Sequence, residues 1–93
     1  MTRQEFEAGL QRDGFAAAVV VERLAGYSLG EHQHPFDARA FILAGEITLT
    51  VGDVATTYKA GNVFRLPAGT VHLESAGPAG VVYLSGRREA ASS

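Results

Sequence analysis

The stretch ITLTVGDVATTYK, residues 47–59, decides the fold. Ile47, Leu49 and Val51 alternate with Thr48 and Thr50, which is the period of a strand with one apolar and one polar face. Gly52 and Asp53 then separate this run from a second β-rich run, a tight hairpin signal. Outward from this hairpin the pattern repeats. The runs AAAVVVERL, YSLGE and ARAFILA precede it, and NVFRL, TVHLES and GVVYLSG follow it, with glycines between them. About eight short strands with a turn every 8–10 residues, and no helical period between them, predict an all-β sandwich or barrel.

The exception is the N-terminus. Thr2 and Glu5 have capping-box spacing, and Phe6 and Leu10 fall on one helical face. A short helix is expected within residues 1–14, a β-barrel over 15–86, and a disordered tail over 87–93, where RREAASS shows no apolar pattern.

Ninety-three residues accommodate one domain with a thin core. With 8 basic and 10 acidic residues interspersed, the chain offers no basic stripe for nucleic acid, and a single short helix cannot form a helix-turn-helix. The sequence has no cysteine, which excludes disulfides, thiolate ligands and a cysteine nucleophile. No run reaches the roughly 18 apolar residues of a membrane helix, and residues 1–14 lack the apolar segment of a signal peptide. A soluble cytoplasmic protein is expected. The aliphatic run AAAVVV suits a strand-mediated homodimer.

The chemistry concentrates on three histidines. His32 and His34 sit two apart, so on one strand they project to one face. His72 lies forty residues away in GNVFRLPAGTVH, residues 61–72. Two positions on one strand and one on a neighbour can converge on a first-row metal ion.

These segments resemble the two motifs of the cupin family. His32 and His34 match the H-x-H of the first, with Gly26 at its opening glycine and Gly45 at its closing one. Gly61, Pro67, Gly69 and His72 match the second at the family's spacing, while Ala76 replaces its final Asn. The resemblance implies a jelly-roll β-barrel, often dimeric, with one divalent metal ion (Fe, Mn, Ni or Zn) on His32, His34 and His72. One departure matters: the family's first-motif Glu falls on Ala38, which cannot coordinate. Water or substrate can fill that position, Asp37 can swing in as an additional ligand, or the metal can be lost altogether. Strand alternation opposes the second option, because Asp37 faces away if Ala38 faces in. A turn residue or an ion partner of Arg39 is the other reading of Asp37.

Glu74 shares parity with His72 and is a candidate catalytic group, as a partner of a metal ligand or as a general base. Arg65, Tyr58 and Tyr83 are candidates for the mouth of the barrel. Small side chains at Ala38, Ala40 and Ala44 share the parity of the histidines and leave room for a pocket, or ease barrel packing. The implied activity is that of an oxygenase or isomerase acting on a small oxygen-rich molecule. The alternative is a non-enzymatic module that binds or senses a small ligand and uses the metal as a brace.

Overall fold

The computed structural model describes residues 1–90. Helix α1 (Arg3–Arg12) is followed by β1 (Val19–Arg23), β2 (Ser28–His32), β3 (Phe36–Val51), β4 (Val54–Lys59), β5 (Val63–Leu66) and β6 (His72–Glu89). All pairings are antiparallel. The order β1-β6-β3-β4 forms the main path, with β2 added to β6 and β5 to β3. The sheet curls around one apolar interior, the jelly-roll type of β-barrel that was expected.

Eight expected runs become six strands, because two pairs of runs are continuous. ARAFILA and EITLTV form β3, and TVHLES and GVVYLSG form β6. The glycines between them bend the strands without ending them. The β3–β6 register shifts between Ile42 and Ala44 and again between Gly45 and Ile47. Such bulges add local twist, which lets one long strand serve both walls of a barrel. The hairpin is as expected: Val51 pairs with Val54 across Gly52, whose φ is +60°. Val51 itself is exposed at the hairpin end, whereas Ile47 and Leu49 are buried.

Alternation along β3 splits the apolar residues between two clusters. Ala40, Ile42, Ile47 and Leu49 face the barrel interior with Phe64, Leu66, Val81 and Tyr83. Phe41 faces outward, where it meets Leu84 and the helix residues Phe6 and Leu10. Thr2 caps α1 through the reciprocal bonds with Glu5, and the Phe6 ring stacks on Phe41 with centroids 5.5 Å apart. Gly86 makes this docking fit, since a Cβ there would overlap the Leu10 side chain.

The expected disordered tail begins too early at residue 87. Arg87, Arg88 and Glu89 continue β6 opposite Ala38, Asp37 and Phe36, and the Arg87 carbonyl accepts from Ala16 N–H. Backbone pairing with β3 orders this segment despite its polar composition. Residues 91–93 of the expected tail lie outside the described residues. Among the described residues, no helix is long and apolar enough to cross a membrane.

Candidate metal centre

His32 and His72 meet because β2 and β6 pair. They are direct partners in the register, brought opposite by a shift between Leu29 and His32. His34 does not extend the strand; it lies just past β2, in the link to β3. Even so, ligand atoms from all three imidazoles lie within 4.8 Å of one another. Ring centroids are 4.1 Å apart for His32 and His72, and 5.0 and 5.3 Å for His34 to each of them.

The backbone sets two of the tautomers. His32 Nδ1 lies 2.7 Å from the Gly30 carbonyl oxygen, and His72 Nδ1 lies 2.9 Å from that of Thr70. A carbonyl only accepts, so each Nδ1 carries a proton, and in the neutral form of each ring Nε2 is then the lone-pair donor. This is the arrangement in which a metal-binding histidine donates its other N–H to a fixed acceptor. His34 is held by stacking on Phe36. Burial, then the neighbouring His32 and His72, hold its pKa below the ordinary imidazole value, which favours the neutral, ligating form.

His32 Nε2 is buried and has no aligned hydrogen-bond partner. His72 is 1% exposed. Three lone-pair donors converging on one point, one of them orphaned, fit a divalent ion.

Asp37 is not among these donors. Its Oδ1 accepts from Ala68 N–H at 2.9 Å, and its Oδ2 receives Arg88 Nη2 at 2.9 Å and Nε at 3.2 Å. The alternation argument holds, but the ion partner is Arg88, since Arg39 pairs with Asp13 at 2.8 Å. Asp37 instead fastens the Pro67–Thr70 turn, whose next N–H, that of Gly69, donates to the His34 carbonyl. That turn carries the Thr70 carbonyl that orients His72. The Ala68 N–H first, and Arg88 second, hold the Asp37 carboxyl below its usual range. Its contribution to stability is therefore present above the ordinary Asp value and is lost as pH falls through the lowered one. Asp37→Asn, which keeps an acceptor for Ala68, is expected to lower the melting temperature near neutral pH. Its metal affinity should stay within about tenfold of wild type, below what losing a ligand costs. Melting curves and metal titration check both.

Glu74 does face the site. It lines the cavity, and its Oε1 lies 3.1 Å from His32 Nε2. The cavity has a volume of about 160 Å³ and is walled by His34, His72, Ala38, Tyr83, Tyr27, Arg23 and Arg87, among others. Tyr83 is the one mouth candidate that belongs to it; burial, then Glu74, push its phenol up to about 12. Tyr58 packs on Phe64 in the apolar core, and Arg65 is exposed outside the cavity. Of the three small residues, only Ala38 lines the site: Ala40 is in the core, and Ala44 is exposed at the bulge.

Sequence reasoning missed Arg23, Tyr27 and Arg87. Arg87 shares strand parity with Tyr83 and Ser85, a signal hidden by treating residue 87 as the start of a tail. Arg23 shares parity with Val21, but nothing in the sequence pairs β1 with β6. A larger depression of about 480 Å³ lies between α1 and residues 15–18. Its walls bring no set of ligating or catalytic groups together.

The cupin domain family model matches residues 19–85. No curated protein matches the chain. Among solved structures, the DMSP lyase DddQ of Ruegeria pomeroyi is 31% identical with a TM-score of 0.70, over 82% of this chain and 39% of that one. The Cnp3 cupin domain of Schizosaccharomyces pombe is 27% identical with a TM-score of 0.71, over 82% and 56%. A cupin-2 domain protein of Shewanella frigidimarina, 19% identical with a TM-score of 0.65 over 77% and 70%, shares the fold. The motifs, the barrel and the family match agree: this chain belongs to the cupin domain family.

Proposed function

We propose that this protein binds one divalent metal ion through His32, His34 and His72 and uses it on a small, oxygen-rich anionic molecule, as an oxygenase or isomerase. The observation that carries the reading is the convergence of three imidazoles, two with tautomers set by backbone carbonyls, beside a cavity lined by His34, His72, Arg23 and Arg87. Fe, Mn, Ni and Zn all suit imidazole donors, and affinity order alone does not choose among them. When bound, the ion supplies Lewis acidity to an oxygen of the ligand.

The chain's own residues supply the rest. Neither Arg23 nor Arg87 pairs with a carboxylate among the described residues. Their guanidinium groups sit over the rings of Tyr27 and Phe36 and are available to an anionic group of the substrate. Tyr83 stays protonated across the physiological range, so its hydroxyl is a donor for an oxygen of the ligand. The similarity to a lyase supports catalysis, over less than half of that protein's length.

The test is turnover. Metal-loaded protein offered small hydroxy acids and oxo acids should form product over many turnovers, and His32→Ala should not. Stoichiometric ligand binding without turnover would favour a binding or sensing module instead. Metal affinity should also weaken below about pH 6, where protons compete for imidazole; titration at stepped pH checks this.

A further inference from the structure

We infer that Glu74 is the carboxylate ligand of this centre, in the role that Ala38 cannot fill. The inference rests on the three-imidazole reading above and adds a fourth protein donor from a different strand.

The contact between Glu74 Oε1 and His32 Nε2 has the distance of a hydrogen bond but not its alignment: His32 Nε2 has no partner that satisfies hydrogen-bond geometry. With the Nδ1 proton committed to Gly30, a neutral His32 turns a lone pair toward the same space as the carboxylate. Two acceptors held this close repel unless a cation lies between them. Two donors each about 2.1 Å from one ion stand roughly 3 Å apart, which is the spacing seen.

The carboxylate's surroundings point the same way. The Glu74 side chain is 11% exposed, and no arginine or lysine pairs with it among the described residues. A nearly buried carboxylate without a cation is costly. Position in the fold is also suitable. Glu74 follows His72 by two residues on β6, so the two side chains share a face, and Leu29 of β2 is its register partner. The mutually close cluster comprises the three imidazoles, and Glu74 touches it through His32. Its side-chain torsions allow closer approach without moving the strand. One carboxylate on three neutral imidazoles reduces the charge of a divalent centre from +2 to +1.

Cobalt(II) titration of the full chain, read by visible absorption and by affinity, tests this. Glu74→Ala and the near-isosteric Glu74→Gln should both change the position and intensity of the cobalt bands. Glu74→Ala should also lose roughly 100-fold or more in affinity, beyond the range typical of outer-shell partners. Ala38→Glu placed in the Glu74→Ala background should recover affinity, because Ala38 lines the same cavity. Wild-type bands that persist unchanged in both Glu74 variants would overturn the inference and leave the three-imidazole centre standing. A wild-type protein that binds no cobalt would overturn both.

Discussion

His72→Ala is expected to weaken metal binding by about 100-fold or more, at least as much as any other single substitution in the site. His72 is 1% exposed and stands opposite His32 in the β2–β6 register, so no other side chain can move into its place without breaking that pairing. Its ring is held from behind by the Thr70 carbonyl, within a turn tied to His34 and Asp37. Pre-set orientation of this kind means that the ion meets a donor already aimed, and alanine removes both the donor and the preorganisation. Isothermal titration of the variant, with circular dichroism to confirm that the barrel forms, checks the prediction. Affinity within tenfold of wild type would remove His72 from the ligand set.

Gly45→Ala should destabilise the fold by between about 2 and 5 kcal/mol. Gly45 has φ +72°, and a Cβ at this position would collide with the Gly80 carbonyl. The left-handed backbone costs a non-glycine residue roughly 1–2 kcal/mol, and forcing an atom into a packed site adds about 1–3 kcal/mol. The atoms it would meet, the Gly80 carbonyl and Val81 Cα, are backbone, so a rotamer change cannot relieve the clash. Gly80 is itself at φ +77° and abuts the Arg23 carbonyl, so the strain would spread to β1. Urea unfolding of the metal-free protein measures the effect. Gly52→Ala gives a comparison, since a Cβ at Gly52 meets nothing within 4 Å and only the φ penalty applies. If Gly45→Ala costs no more than Gly52→Ala, close approach is not what this position requires.

Much of this was legible in the sequence, for reasons that particular residues make plain. Alternation in ITLTV and the glycine-bounded hairpin identified β3 and β4, because a period of two has only one structural meaning. The spacing of Gly61, Pro67, Gly69 and His72 located the turn that carries the third histidine. What remained hidden was long-range. Gly45 reads as a turn residue locally, yet the chain continues through it as a bulge, because β6 offers hydrogen bonds on the far side. Arg87 reads as tail, yet it pairs with Ala38 and lines the site. Asp37 and Glu74 illustrate the same limit within the site. Parity placed each on the correct side of its strand. Only the structure shows that Arg88 and Ala68 hold Asp37 away, while Glu74 lies against His32.

The central claim is that one ion lies between the three imidazoles. Anomalous diffraction from crystals of the tag-free protein supplied with zinc tests it most directly. The account predicts one peak per chain, about 2.0–2.1 Å from Nε2 of His32, Nε2 of His72 and a ring nitrogen of His34. The absence of a peak between these rings after zinc supplementation, or a peak bound elsewhere on the chain, would contradict it.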